Sequence, residues 1–186
     1  MAPVSVVRPR VSYADLQQSP EDGRRNELYD GDVFVVPAPI PLHQLVAHRF
    51  ADELQTYGRQ HGGLVFLSPI DIVFSEFDVA QPDAVFFVHG REHLIDLRKP
   101  IRVPPDLAVE VLSPSTAATD RGKKMQMYAR YGVREYWLVD PDVKTIEVYW
   151  LAENAYALAQ SASGSETAQS TVLQDFSVGA DTLLDL

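Results

Sequence analysis

Two carboxylates stand where a sheet would least tolerate them. Glu110 lies inside the run Leu107-Ala108-Val109-Glu110-Val111-Leu112, between Pro104-Pro105 and Pro114. A run of that kind is a short strand buried on both faces. A carboxylate there is costly unless it is paired or bound to a cation. Glu110 is therefore either half of an internal salt bridge with an arginine, or a metal ligand or catalytic carboxylate. Asp83 follows Pro82 and leads into a second apolar strand, Ala84 to Val88. Pro-Asp suits the turn before a strand, so a turn role is the plainer reading of Asp83 alone. Beside Glu110 it gains another reading, because two strand-borne carboxylates can converge on one Mg2+, which takes oxygen ligands and keeps several of its waters.

The chain has four lysines, and two of them, Lys123 and Lys124, are adjacent. Lys124, Met127, Tyr128 and Tyr131 fall at i, i+3, i+4 and i+7, one face of a helix. That face carries the apolar residues that must meet the sheet, whereas Lys123 is turned about 100° away. A lysine pair is commonly a solvated face, but the helical phase aims Lys124 inward, toward the carboxylates. Asp120 precedes them as an N-cap or first-turn residue. Glu27 opens a hairpin after Arg24-Arg25, and His43 lies in the first turn of a long helix. His43 shares a stripe with Val46, Ala47, Phe50 and Leu54, where a satisfied structural histidine is the plainer reading and a catalytic one the sharper.

The elements that must position these residues follow from periodicity and turn chemistry. Residues 1–12 form a loose Pro- and Arg-containing lead-in, and 13–186 form one domain. Asn26–Tyr29 and Val33–Val36 flank Asp30-Gly31-Asp32, a strong hairpin signal. Leu42 to His61 has helical spacing and stops at Gly62-Gly63. Leu64–Phe74 is strand-like with a break at Pro69. The second helix runs from about Thr119 to Tyr131 and ends at Gly132. Glu135–Val139, Thr145–Trp150 and Ala155–Gln160 are strands, and 161–170 is a polar loop. Thr171–Leu173 and the C-terminus add edge pieces. The result is an α/β domain with a mixed central sheet flanked by helices.

Composition narrows the chemistry. Sixteen Lys+Arg against 26 Asp+Glu give a formal charge of −10, which excludes a uniformly basic nucleic-acid binder. A local basic patch remains open: Arg121, Lys123, Lys124, Arg130 and Arg134 in one group, Arg98, Lys99 and Arg102 in another. With no cysteine there are no disulfides, thiolate nucleophiles, Cys-ligated zinc or iron–sulfur clusters. No apolar run approaches the length that spans a membrane, and the N-terminus is unlike a signal peptide. The expected compartment is the cytoplasm, with no membrane partner. The five histidines have no zinc-site spacing, and phosphate-loop, dinucleotide and serine-hydrolase motifs are missing.

The order of these features resembles the PD-(D/E)XK nuclease superfamily. More closely it resembles a large bacterial family of restriction endonucleases long filed as a domain of unknown function. The strings that carry the resemblance are Glu27-Leu28-Tyr29-Asp30-Gly31, Gln81-Pro82-Asp83-Ala84-Val85 and Leu107 through Thr116. Asp120-Arg121-Gly122-Lys123-Lys124, Tyr128-Ala129 and Gly132 through Pro141 complete them. The match spans roughly residues 12 to 186. It implies a restriction-endonuclease-like fold with an N-terminal hairpin and metal-dependent phosphodiester hydrolysis on DNA. Asp83 and Glu110 would hold one or two Mg2+, with Mn2+ as a substitute. Lys124 would orient or help deprotonate the nucleophile. Glu27 would add a carboxylate or brace the ligands, and His43 would touch phosphate or hold another site residue. The superfamily usually carries its lysine two residues after the second carboxylate. Here that position is Leu112, and the close family places its lysine on the following helix, as Lys124.

Cutting both strands of a duplex with one site per chain points to a twofold homodimer. Tyr136, Trp137, Tyr149, Trp150 and Tyr156 supply aromatics for an interface, or equally for the core. The competing reading is a non-catalytic nucleic-acid-binding or assembly module on the same fold. A ribonuclease is a third.

Overall fold

The apolar runs pair into two main sheets. In the computed structural model, which describes residues 9–20 and 23–185, twelve strands are formed: β1 (Arg25–Tyr29), β2 (Asp32–Val36), β3 (Leu64–Leu67), β4 (Ile72–Ser75), β5 (Asp78–Ala80), β6 (Ala84–Phe87), β7 (Leu107–Val111), β8 (Glu135–Asp140), β9 (Thr145–Ala152), β10 (Ala155–Ser163), β11 (Thr167–Gln169) and β12 (Ser177–Gly179). Six of them make the central sheet in the order β10-β9-β8-β7-β6-β3, with β7 and β8 parallel and the remaining pairs antiparallel. A four-stranded sheet, β2-β1-β5-β4, carries the N-terminal hairpin. Asp30 and Gly31 both take positive φ at its tip, the backbone that an Asp-Gly hairpin turn demands.

Helices cover both faces of the central sheet. On one face lies α2 (Pro41–His61), with Val46, Phe50 and Leu54 packed on Phe86, Leu107, Val109 and Trp137. Proline at its first turn needs no hydrogen-bond partner, and Gly62 and Gly63, both at positive φ, turn the chain sharply into β3. A Cβ at Gly63 would stand 2.5 Å from the Phe87 carbonyl oxygen, so no other residue fits that close approach. The short C-terminal α5 (Ala180–Leu184) packs on the same side. The other face meets a helical run made of α3 (Ala117–Thr119), a π-helical segment (Asp120–Lys124) and α4 (Met125–Arg130). Met127 and Tyr128 of that run contact Val85, Phe87, Ala108 and Leu138. Tyr13 of α1 (Tyr13–Gln18) belongs to a smaller cluster with Leu28, Val73 and Val79.

Several sequence expectations are corrected here. Residues 1–8 of the loose lead-in lie outside the described residues. Residues beyond them are tied down: Arg10 Nε donates to the Asp30 carbonyl at 2.8 Å and Val11 N to the Gly31 carbonyl at 2.9 Å. The polar stretch 161–170 is not a loop throughout, because β10 runs on to Ser163 and β11 pairs with β12. Thr171–Leu173 is not a strand. The C-terminal aromatics are mainly core. Tyr136 and Trp137 are fully buried, Tyr149 and Tyr156 pack against the core, and Trp150 alone of the five is exposed, at 46%. No helix among the described residues is long and apolar enough to cross a membrane.

Candidate active site

The register of β6 against β7 decides where the two strand carboxylates go. Ala84 stands opposite Val109 and Val85 opposite Ala108. The same register carried one residue further sets Asp83 opposite Glu110, and opposed residues of an antiparallel pair share a face. That face is the one under the helical run, since Ala108 and Leu112 contact it while Leu107, Val109 and Val111 face α2. Asp83 Oδ2 accepts a hydrogen bond from Val111 N at 2.8 Å, which locks the two strand ends together. Glu110 is 4% exposed and accepts from the Tyr128 hydroxyl at 2.8 Å.

Lys124 comes down on these carboxylates from above. Its side chain is 5% exposed, and Nζ lies 3.1 Å from Glu110, 3.2 Å from Glu27 and 3.3 Å from Asp120. Lys123 is 53% exposed and points the other way, over the Phe34 ring and 3.8 Å from Asp32. Glu27 reaches the cluster from β1, where it shares a face with Tyr29. Its oxygens accept from the Tyr29 hydroxyl at 2.6 Å and from Gln81 N at 2.7 Å. His43, in the first turn of α2, places Nε2 3.3 Å from Asp83 Oδ2. The five residues singled out in the sequence thus converge from five separate segments, β1, α2, the turn into β6, β7 and the helical run. Glu27, His43, Asp83, Glu110 and Lys124 all line one cleft of about 270 Å3, whose opposite wall is the apolar segment Phe34 to Ile40.

The sequence reading missed four residues of this cluster, two that line the cleft and two that hold its carboxylates. Asp120 is no N-cap. It lies inside the helical run, 2% exposed, one turn before Lys124. The i,i+4 spacing of Asp120 and Lys124 was the available signal. The run is not one continuous α-helix either, because its middle turn is π-helical, a local widening found often at functional sites. Helical phase places Tyr128 on the packed face, and beyond packing its hydroxyl donates to Glu110. Tyr29 and Gln81 are neutral, and no pattern of charge or spacing pointed to them.

The electrostatics are those of surplus negative charge in a dry place. Burial pushes the Asp83 carboxyl up to about 7, against the Val111 amide and Lys124, which favour its charge. Burial also pushes Glu110 well above the usual carboxylate range, with Lys124 opposing it and Asp120, Asp83 and Glu27 adding to it. Lys124 behaves oppositely. Burial works against its charge, but Glu110 and Glu27 outweigh burial and hold it well above its ordinary value. Burial lowers His43, so the imidazole is neutral at pH 7.

These residues fit a divalent cation by charge. Glu27, Asp83, Glu110 and Asp120 outnumber the two cations that line the cleft, the buried Lys124 and Arg25. Among the described residues no three His, Asp or Glu side chains stand as a preformed metal cage. Mg2+ does not need one, since it binds through one or two carboxylates and keeps its waters for the rest. Buried carboxylates elsewhere are satisfied without any ion. Glu135 accepts from Trp137, Ser170 and Thr171, and Asp106 accepts from Val88 N and pairs with Arg91.

Most cations of the two basic groups are paired with carboxylates. Arg121 pairs with Glu147, Arg130 with Asp30 and Asp78, Arg134 with Asp106, Lys99 with Asp96 and Arg102 with Glu76. With Lys123 beside Asp32 and Lys124 buried, these cations are compensated by carboxylates distant in sequence or one turn away. Exposed pairs of this kind are worth about 0–1 kcal/mol each, so a phosphate can displace the carboxylate at small cost.

A helix-covered mixed sheet with carboxylates at the ends of adjacent strands is a restriction-endonuclease-like fold. It is similar over 94% of the chain to the crystal structure of a putative nuclease belonging to DUF820 from Anabaena variabilis ATCC 29413, covering 97% of that chain with a TM-score of 0.77 and 19% sequence identity. The family model Uma2, described as "Putative restriction endonuclease", matches residues 13–184, and the chain belongs to that family. No protein with a curated description matches.

Proposed function

We propose that this cleft hydrolyses phosphodiester bonds of DNA with a divalent cation, Mg2+ or Mn2+ in its place. The observation that carries the reading is the surplus of carboxylates over cations in one solvent-reachable cleft, against fully satisfied carboxylates elsewhere. Asp83 and Glu110 would hold the ion. When bound, it acidifies a water and offsets charge on the scissile phosphate. Lys124 brings the chain's own positive charge to the same place and serves the attacking water or the developing phosphate charge. Glu27 and Asp120 hold the ammonium in position, Tyr128 orients Glu110, and His43 orients Asp83. The setting proposed is the cytoplasm. The test is incubation of supercoiled, linear and single-stranded DNA, and of RNA, with Mg2+, Mn2+ or EDTA. Cleavage of DNA in either metal and none in EDTA is expected. Cleavage of RNA alone would make the protein a ribonuclease. No cleavage and no metal binding would make it a non-catalytic module on the same fold.

The same reading includes a twofold homodimer, which sets two cleavage sites against two strands. Its surface is not the C-terminal aromatic set, now mostly in the core. The exposed apolar residues Val33, Val35 and Ile40 lie at or beside the cleft mouth and suit an interface. Light scattering should give twice the 20.7 kDa chain mass; a monomer mass at micromolar concentration would remove the dimer.

A further inference from the structure

Among the described residues, two buried side-chain polar atoms have no hydrogen-bond partner, Gln81 Oε1 and His43 Nδ1, and both residues line the cleft. Buried polar atoms are almost always satisfied, so each such exception needs a reason. The orientation of the Gln81 amide is fixed by its neighbour. Gln81 Nε2 donates to Asp71 Oδ1 at 2.7 Å, and the hydroxyl of Tyr13 donates to Asp71 Oδ2 at 2.8 Å. Both Asp71 oxygens are engaged as acceptors, so the amide nitrogen faces Asp71 and the amide oxygen faces away from it. Gln81 N is held as well, by Glu27 at 2.7 Å. The side chain is therefore anchored at both ends, with its acceptor left over. His43 stands beside it, with Nε2 3.3 Å from Asp83 Oδ2 and Nδ1 without a partner.

What the cleft lacks is thus specific in kind. Its spare amide oxygen is an acceptor, and its four carboxylates exceed its two cations, Lys124 and Arg25. A bare phosphate oxygen satisfies neither need, because it too is an acceptor and an anion. A hydrated cation satisfies both, since its bound waters turn hydrogens outward and its charge meets the carboxylates.

We infer that Gln81 is a positioning residue for the metal site. Its Oε1, aimed by the Tyr13–Asp71 pair, accepts a hydrogen bond from a water on the cation that Asp83 and Glu110 hold. This rests on the proposed metal-dependent reading and extends it to a residue that touches neither metal nor phosphate. Partners of this outer kind are worth about 10–100-fold in metal affinity or activity. Calorimetric titration of Mg2+ and Mn2+ into the whole protein, with thermal melting in EDTA alongside, tests it. Gln81→Met keeps the length and removes the acceptor; it should weaken binding about 10–100-fold, with the EDTA melting temperature near that of wild type. Gln81→Glu keeps an acceptor oxygen toward the cleft by sharing a proton with Asp71, and it should bind the metal at least as tightly as wild type. Opposite directions from the two variants separate positioning from simple packing. Binding by Gln81→Met within about twofold of wild type, or equal weakening by both variants, would overturn the inference and leave the metal site standing. A wild type that binds neither ion would overturn the metal reading itself, and the inference with it.

Discussion

Lys124→Ala should lose about 10²–10⁴-fold in the rate of DNA cleavage, the usual cost of removing a positioned proton-transfer or charge-stabilising group. Lys123→Ala should keep most of the rate and show a metal-independent, modest loss of DNA affinity, with a salt dependence flatter by about one unit of slope. The two residues are neighbours in sequence and opposites in structure. Lys124 is in contact with three buried carboxylates, whereas Lys123 sits on the surface over Phe34. Truncating one partner of a buried ion pair costs about 3–5 kcal/mol, because the other charge is left uncompensated. Lys124→Ala should therefore also be less stable to urea in EDTA, and Mg2+ should restore more stability to it than to wild type. Single-turnover cleavage and urea titrations with and without Mg2+ read both effects. Equal rate losses at the two lysines would contradict the assignment.

The second large effect is a stability gain from removing a site residue. The Asp83 carboxyl titrates at about 7 in the folded protein against 3.8 for the free group, with burial the main cause. The unfolded chain thus gives up this proton first, and folded stability falls as pH rises between about 4 and 7. Asp83→Asn cannot ionise, so in EDTA at pH 8 it should be more stable than wild type by about 1–4 kcal/mol, with the difference vanishing near pH 4. Mg2+ should reverse the order at pH 8 by stabilising wild type far more than the variant. The Mg2+ effect on wild type should shrink as pH is lowered, since protonation of Asp83 competes with the ion. Thermal melts over pH 4–9 check this. An Asp83→Asn variant less stable than wild type at pH 8 in EDTA would show that the carboxylate is structurally needed rather than strained.

Periodicity and turn chemistry carried much of the fold because they are local. The Asp30-Gly31 hairpin, the long helix ending at Gly62 and the doubly buried strand at Glu110 each follow from a few adjacent residues. Helical phase was enough to tell Lys124 from Lys123, since Met127 and Tyr128 on the same face had to be core. What escaped the sequence was pairing across distance. Asp120 looked like a cap because a helix-interior aspartate has no evident purpose until its lysine is seen one turn on. The basic groups looked like a phosphate-binding patch because their carboxylates, Glu147, Asp30, Asp78 and Asp106, lie far off in the chain. Gln81 carries no charge, and only the placement of Asp71 makes its amide oxygen a spare acceptor. β5 and the β11–β12 pair are three residues each, too short to show a period of their own.

The most direct test is the rate of Mg2+-dependent nicking of supercoiled DNA by wild type and Glu110→Gln, with both proteins shown to melt cooperatively. The substitution keeps the shape of the side chain and removes the charge placed to hold the ion. Nicking by wild type in Mg2+ or Mn2+, none in EDTA, and a loss of at least about 10²-fold in the variant is the outcome expected of a metal-holding carboxylate. Wild-type protein inert with every divalent ion, or a Glu110→Gln variant that cuts as fast as wild type, would contradict it.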